Sequence, residues 1–247
     1  MRGPPEPVAT PIAASGRVHV ALADIRQVFQ STTGGPAVHA LGPLSLALTA
    51  GEFFSLVGPS GCGKSTLLEI IAGLIEPTAG TVTIDGKEVR GSVPDGVGVV
   101  FQEDASFPWL SVWDNIAFGL KRIGLAANLA KARVDARTLV MEPRLILLDE
   151  PFGALDQQTR LLMGDEVLNL WRATNATVVL ITHALDEAAM LSDRVGVMSA
   201  RPGRFIEIVT TGWERDRDSR IVTSERFGAV TAHLWTLLRD ESIKAIR

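Results

Sequence analysis

The sequence predicts an α/β fold in which an antiparallel β piece packs on a parallel-sheet core. Strand-like runs in the early part of the chain are joined by short turns, which favours an antiparallel arrangement. Later runs alternate with helical stretches, which is typical of parallel sheets. A glycine-rich loop over residues 58–66 lies between a strand and a helix, where a helix N-terminus can face an anion. These observations predict a nucleotide-binding core built around a phosphate loop.

The pattern of apolar residues places nine strands and four helices along the chain. The strands are expected at Arg17–Val28, Leu44–Leu48, Phe53–Val57, Thr81–Ile84, Val97–Phe101, Leu145–Leu148, Thr177–Ile181, Arg194–Met198 and Phe205–Val209. The helices are expected at Ser65–Ile71, Gln157–Ala173, Leu185–Ser192 and Phe227–Asp240. The last helix carries an apolar stripe that is expected to pack on the core, formed by Phe227, Val230, Leu234, Leu237 and Leu238.

The chain divides into three parts. Residues 1–16 are rich in Pro and Ala and lack an apolar signal core, so they are expected to form a loose leader. Residues 17–211 form the nucleotide-binding domain. Residues 212–247 form a C-terminal part that ends in the last helix. Within that part, residues 212–220 mix charges of both signs and are expected to be a solvated linker.

Length and charge restrict the class of protein and its partners. A chain of 247 residues can hold one large domain with a substantial core. A formal net charge of −4 provides no basic face to release counterions, so nucleic acid is not expected as a partner. No apolar run is long enough to span a bilayer. The single cysteine excludes an internal disulfide and suits a reducing compartment, so a cytoplasmic location is expected.

The glycine-rich loop fits the pattern G-x-x-x-x-G-K-[ST], which binds the phosphates of a nucleotide. Its glycines let the backbone turn so that successive N–H groups face phosphate oxygens. Lys64 can reach the β- and γ-phosphates, and the Ser65 hydroxyl is a natural Mg²⁺ ligand. The residues expected to bind a nucleoside triphosphate through this loop are Gly58, Pro59, Ser60, Gly61, Cys62, Gly63, Lys64, Ser65 and Thr66.

A second candidate element is an apolar strand, Leu145–Leu148, that is followed directly by Asp149 and Glu150. A buried strand that delivers an acid at its carboxyl end places it where α/β sheets bind their ligands. We expect Asp149 to hold Mg²⁺, directly or through water. Glu150 is expected to orient and polarise the water that attacks the γ-phosphate.

Five motifs occur in the order seen in the ATP-binding subunits of ABC transporters. They are the phosphate loop, Gln102, Leu148–Pro151, Gly153–Asp156 and Ile181–His183. The chain resembles this family from about Val18 to Leu238. The resemblance implies an ABC ATPase core with an antiparallel β subdomain, and ATP and Mg²⁺ as ligands.

The resemblance also implies roles for four residues. Gln102 resembles the family's glutamine that contacts Mg²⁺ and the attacking water and senses the membrane subunit. His183 resembles the histidine that holds the γ-phosphate, and Asp156 resembles the aspartate that crosses the dimer interface. Phe29 lies where the family places an aromatic ring on the adenine, a contact worth about 1–3 kcal/mol by analogy with base stacking.

Three short strings near the end of the domain, at residues 186–188, 192–195 and 198–203, are similar to one branch of ABC importers. That branch handles nitrate, sulfonates, taurine and related small solutes. The resemblance implies an integral membrane permease subunit as partner, and an extracytoplasmic solute-binding protein that acts through the permease. It also implies a second ATP-binding subunit, identical or different, and a peripheral position on the inner face of the cell membrane.

The sequence departs from the family in the middle of the domain. The family carries Leu-Ser-Gly-Gly-Gln or a near variant there, and the usual spacing falls on Leu125–Leu129, where only the leucine agrees. Asp149 follows Gln102 by 47 positions, and family members have roughly 30 more residues, enough for two or three average helices. The helical subdomain is therefore expected to be shortened around residues 103–140. Since the signature of one subunit completes the ATP site of the other, hydrolysis by a homodimer is in question.

Four functional hypotheses are compatible with these residues. The chain is an energising importer subunit that hydrolyses ATP through Glu150, or it is a hydrolysis-deficient ATP-binding partner of a complete subunit. A third hypothesis is a non-functional deletion variant or an error in the sequence. A fourth is a phosphoryl-transferring kinase, against which His183 and the turn at residues 153–156 argue.

Overall fold

The computed structural model of the protein describes residues 17–31, 34–101, 143–153 and 155–246. Four predictions lie outside the described residues: the leader at residues 1–16, the role of Gln102, the shortened subdomain around 103–140, and the part of the 153–156 turn at Ala154. Within the described ranges, no helix is both long and apolar enough to cross a membrane.

The described elements alternate as the sequence predicts. The strands are β1 (Val18–Phe29), β2 (Val38–Thr49), β3 (Phe53–Val57), β4 (Ala79–Ile84), β5 (Lys87–Glu88), β6 (Val97–Val100), β7 (Leu145–Asp149), β8 (Thr177–Ile181), β9 (Arg194–Met198) and β10 (Phe205–Thr210). The helices are α1 (Lys64–Ile71), α2 (Gln157–Thr174), α3 (Leu185–Leu191) and α4 (Glu225–Ile246), with a 3₁₀ turn at Ser219–Thr223.

The strands form two sheets. The first is antiparallel and has the order β2-β1-β4-β5. The second has the order β10-β9-β3-β8-β7-β6; its strands from β9 to β6 are parallel, and β10 is an antiparallel edge strand. Because parallel strands end on the same side, the loops that follow β3, β7, β8 and β9 share one edge of this sheet.

Two apolar layers cover the two faces of the parallel sheet. Alternate residues of β3 divide between them, since successive side chains of a strand point to opposite faces. Phe54 and Leu56 pack in the layer that contains α1 and the antiparallel sheet. Phe53 and Val57 pack in the layer that contains Trp171 of α2 together with α3 and α4. All five residues of β3 are buried, so the strand that carries the phosphate loop lies at the centre of the core.

The predicted α/β class is confirmed, with an antiparallel β piece packed on a parallel core. The strands Phe53–Val57, Thr177–Ile181 and Arg194–Met198 have the predicted bounds. Strand β2 begins at Val38, six residues before the predicted start, and runs through Gly42 and Pro43 with irregular pairing to β1. Gly42 and Pro43 are residue types that are depleted in strands, but pairing with the long partner strand keeps this stretch in the sheet.

The expectation of a solvated linker at residues 212–220 is wrong for Arg217. This side chain is 3% exposed, and its guanidinium donates to the Asp193 carboxylate at 2.8 Å and to the backbone carbonyl of Leu191. It also lies 4.7 Å from the centre of the Trp171 ring. A buried guanidinium requires several acceptors, and here the core supplies them. These contacts therefore attach the C-terminal part to the core.

We expect Arg217→Ala to lower the free energy of unfolding by about 1–3 kcal/mol, because it leaves a buried carbonyl without its donor. Urea denaturation measures the change. Arg220→Ala is the matched control in the same segment. Arg220 pairs with Asp218 on the surface, and since exposed ion pairs contribute little to stability, its loss should have a much smaller effect. Equal effects of the two substitutions would show that the buried contacts of Arg217 contribute no more than a surface ion pair.

Candidate functional site

The phosphate loop follows β3 at the carboxyl edge of the parallel sheet and leads directly into α1. Gly63 precedes the helix with φ = 102°, and a Cβ there would lie 2.6 Å from a methyl carbon of Leu41. The loop pattern therefore needs glycine at this position for both its backbone conformation and its packing. The residues expected to bind phosphates surround the N-terminus of α1, where unpaired N–H groups favour an anion.

Lys64 lies across the mouth of this loop. Its side chain is largely buried, and its ammonium donates to the carbonyl oxygens of Gly58 at 2.9 Å and Pro59 at 3.0 Å. The same ammonium lies 4.0 Å from the Cys62 sulfur. Burial raises the pKa of the Cys62 thiol, so this side chain acts as a small apolar group in the loop. The Lys64 ammonium is thus held within the loop whose backbone N–H groups would bind phosphate oxygens.

Asp149 is the last residue of β7 and faces the start of α1. Burial raises the pKa of its carboxyl above the usual range, and the neighbouring Ser65 hydroxyl lowers it in part. One carboxyl oxygen, Oδ1, is buried and accepts no hydrogen bond from the described residues. A hydroxyl and an unsatisfied carboxylate oxygen beside a phosphate loop form an oxygen donor set that suits a hard divalent cation. The two residues therefore fit the Mg²⁺ ligands that the sequence predicts.

Glu150 and His183 lie next to each other beyond the ends of two neighbouring strands. Asp149 pairs in register with Ile181, so the residues that follow β7 and β8 emerge at the same level. Glu150 adopts a left-handed backbone conformation, with φ = 47°, and its Oε2 lies 3.2 Å from His183 Nδ1. A non-glycine residue in this conformation at a cleft often marks a functional position. The pair can therefore hold a water and an anionic oxygen in one place.

A buried network supports the turn that carries His183. Thr182 donates from its hydroxyl to the carboxylate of Glu187 in α3, and the same hydroxyl accepts from the N–H of Ala184 at 3.0 Å. Burial raises the pKa of the Glu187 carboxyl. In the sequence, Glu187 is only part of the string at residues 186–188, because nothing local indicates that its side chain turns back onto the turn after β8.

Lys64, Ser65, Glu150 and His183 line one cleft of about 570 Å³, whereas the predicted site residues Gly58, Pro59, Cys62 and Asp149 are not part of its lining. Its walls are formed by the phosphate loop, the start of β2 and the end of β1, and they include Phe29, Val38, Ala40, Ser60, Gly61, Gly63, Lys64, Ser65, Thr66, Glu150, His183 and Arg201. Phe29 is 40% exposed, although it is a large apolar side chain. Its ring is therefore available to a flat apolar ligand at the cleft.

Asp156, which the sequence predicts at a dimer interface, caps α2. Its carboxylate accepts from the backbone N–H of Thr159 at 2.9 Å and from the Thr159 hydroxyl at 2.8 Å. These bonds lower the pKa of the Asp156 carboxyl.

Arg201 lines the cleft but is not among the residues that the sequence predicts for the site, because its sequence neighbours carry no phosphate-binding pattern.

The fold and the site define a nucleotide-binding protein of the phosphate-loop class. The family model of ABC transporters matches residues 41–136. An uncharacterized ABC transporter ATP-binding protein of Methanocaldococcus jannaschii is 39% identical over an alignment that covers 94% of this chain and 95% of that protein. The chain therefore belongs to the ATP-binding subunits of ABC transporters, a family of ATP-hydrolysing enzymes.

Two further likenesses refine this comparison. The taurine import ATP-binding protein of a Jannaschia species is 40% identical over 75% of this chain and 80% of its own length. A solved dimeric ATP-binding cassette, in a post-hydrolysis state with ADP and Pi, superposes with a TM-score of 0.70 at 25% identity. That superposition covers 77% of this chain and 98% of the cassette.

We expect the Mg²⁺-dependent gain in ATP affinity to fall as the pH is lowered. A protonated carboxyl is a poor Mg²⁺ ligand, and since the pKa of Asp149 is raised, this loss begins at a higher pH than for an exposed aspartate, whose pKa is about 3.9. Calorimetric titrations with ATP, with and without Mg²⁺ and at successively lower pH, measure this loss of affinity. Asp149→Asn is the control, since protonation of ATP itself affects both proteins alike. A pH profile shared by the two proteins would contradict the role of Asp149.

We expect Phe29→Ala to weaken ATP binding by about 1–3 kcal/mol, since the adenine loses its stacking partner. Phe29→Trp should retain the affinity because it keeps an aromatic face. Tripolyphosphate has no base, so its affinity should be the same in all three proteins. If Phe29→Ala weakened ATP and tripolyphosphate equally, Phe29 would not be the adenine contact.

Proposed function

We propose that this chain is the energy-coupling subunit of an importer for small solutes such as nitrate, sulfonates or taurine. In this role it binds ATP in the cleft and hydrolyses it to drive transport. The observation that supports the proposal is that Lys64, Glu150 and His183 line one cleft at the ends of adjacent parallel strands. Asp149 is buried at the end of β7, directly before Glu150. The branch of importers is supported by the relative named for taurine import.

The proposed reaction assigns one task to each group of the chain. The loop N–H groups and the Lys64 ammonium bind the β- and γ-phosphates. Ser65 and Asp149 hold Mg²⁺, which neutralises charge on the phosphate oxygens. Glu150 accepts a hydrogen bond from the attacking water and orients it in line with the γ-phosphate, and His183 donates to a γ-phosphate oxygen. Gln102 is proposed as a further contact of the cation and the water.

The proposed partners follow from the family. They are an integral membrane permease subunit, an extracytoplasmic solute-binding protein that acts through the permease, and a second ATP-binding subunit. The dimeric state of the solved cassette supports the last of these, and Asp156 is proposed to lie at that interface. The proposed location is the inner face of the cell membrane, where the permease is reached from the cytoplasm.

A second candidate function is favoured by the missing signature at Leu125–Leu129. The alignment with the Methanocaldococcus relative runs over 260 residues, more than the 247 of this chain, so it includes residues of that relative that this chain lacks. A shortened middle region would account for these residues. In this alternative the chain binds ATP but pairs with a complete subunit, whose signature completes its site. A non-functional deletion variant is the third reading.

The first test is Mg²⁺-ATP turnover by the purified chain over a range of protein concentrations. We expect turnover to rise more steeply than the concentration, because two chains form each composite site, and to be lost in Lys64→Ala and Glu150→Gln. Glu150→Gln should still bind ATP, whereas Lys64→Ala should not. If the wild-type protein bound ATP no better than Lys64→Ala, this result would contradict every ATP-binding role.

Absence of turnover with intact ATP binding would contradict the homodimeric enzyme and leave two readings, which the addition of a complete subunit separates. Turnover that appears when a complete subunit is added would identify the hydrolysis-deficient partner, and continued absence would identify a non-functional variant.

The solute is tested in cells that lack the gene, by the uptake of labelled taurine, an alkanesulfonate and nitrate. Uptake should return with the wild-type gene but not with Glu150→Gln.

A further inference from the structure

The loop over residues 199–204, which joins β9 and β10, contacts the phosphate loop directly. The contact arises because β9 is hydrogen-bonded to β3, so the loops that follow these strands are neighbours. Arg201 donates to the carbonyl oxygen of Gly61 twice, from Nε at 3.1 Å and from Nη2 at 2.9 Å. The two residues lie 140 positions apart in the sequence. Arg201 also lines the nucleotide cleft.

This contact controls the direction of a peptide group in the phosphate loop. An anion-binding loop works when its N–H groups face the ligand, so its carbonyl groups must be held elsewhere. Gly61 has φ = 72° and no side chain to restrict it, so its flanking peptide groups can rotate at little steric cost. A planar guanidinium that donates two hydrogen bonds to one carbonyl restricts this rotation.

The loop that carries Arg201 is itself fixed on both sides. Gly203 donates to the Ala40 carbonyl at 2.9 Å and accepts from the Gly42 N–H at 3.0 Å, which ties the loop to β2. A Cβ on Gly203 would overlap the Cys62 carbonyl, so only glycine allows this close approach to the phosphate loop. On the other side, the N–H of Ala200 donates at 2.9 Å to the Glu241 carboxylate of helix α4.

We propose that Arg201 is a positioning residue for the phosphate loop, and that helix α4 supports it through Glu241. The guanidinium holds the Gly61 carbonyl so that the loop is arranged for phosphate before ATP arrives. The C-terminal helix thereby contributes to nucleotide affinity, although it does not line the cleft. The inference rests on the proposed function only in that the phosphate loop binds ATP.

The test compares the affinities of Arg201 variants for ATP and for tripolyphosphate by calorimetry. Arg201→Met removes both hydrogen bonds and should lower the affinities for ATP and tripolyphosphate by the same factor, on the order of tenfold. Arg201→Lys keeps the charge but lacks the planar pair of donors, so it should lower both affinities nearly as much. Arg204→Met is the matched control, because Arg204 lies in the same loop but donates to Gly42 instead; its affinities should equal those of the wild type.

The support from helix α4 is tested with two variants of Glu241. Glu241→Ala removes the acceptor of the Ala200 N–H and should weaken ATP and tripolyphosphate by a smaller factor than Arg201→Met. Glu241→Gln keeps a carbonyl oxygen at this position and should retain the wild-type affinities. Thermal unfolding without nucleotide is recorded for every variant, so that a general loss of stability is separated from a loss of affinity.

Several outcomes would overturn the inference. Wild-type affinities in Arg201→Met would show that the contact does not arrange the loop. A loss for ATP without a loss for tripolyphosphate would place Arg201 on the base or the ribose, and full affinity in Arg201→Lys would show that charge alone suffices. If instead the wild-type protein showed no Lys64-dependent binding, the proposed function would fail before Arg201 is tested.

Discussion

The parallel hydrogen bonding of β3, β8 and β7 is the constraint on which the site depends. Ile181 at the end of β8 pairs with Leu56 on one side and with Asp149 on the other, so three strands end at one level. The phosphate loop, the His183 turn and the two acidic residues then emerge from the same edge. A shift of one residue in either ladder would also reverse which side chains face each apolar layer. The core therefore fixes the relative positions of groups that are distant in the sequence.

The charges at this edge oppose folding and favour ligand binding. Burial raises the pKa of Asp149, and burial together with the neighbouring Asp149 raises the pKa of Glu69 in α1. A carboxyl whose pKa is raised in the folded state lowers stability at any pH above its unfolded pKa, because the folded protein disfavours the ionised form. A bound divalent cation would relieve this cost. If the site binds Mg²⁺-ATP as proposed, it exchanges some stability of the free protein for affinity toward this ligand, a common relation at functional sites.

The sequence predicted those features whose determinants are local. The phosphate loop, the acidic strand end and the central strands each depend on a short run of residues, and three strands have their predicted bounds. The burial of Arg217 could not be predicted, because its partners Asp193 and Leu191 come from another part of the chain. The same holds for Arg201, whose partner Gly61 is brought near only by the pairing of β9 with β3. From sequence alone, charged side chains are predicted to be exposed to solvent. Which of them are buried depends on contacts with residues that are distant in the sequence.

We propose that one edge of the parallel sheet binds a nucleoside triphosphate together with a divalent cation. The most direct measurement is a crystal structure of the chain with a non-hydrolysable ATP analogue and Mn²⁺, in which anomalous scattering locates the cation. We expect phosphates on the N–H groups of residues 60–65, Mn²⁺ between Ser65 and Asp149, and adenine on Phe29. A triphosphate bound elsewhere, or a cation that contacts neither Ser65 nor Asp149, would contradict this proposal.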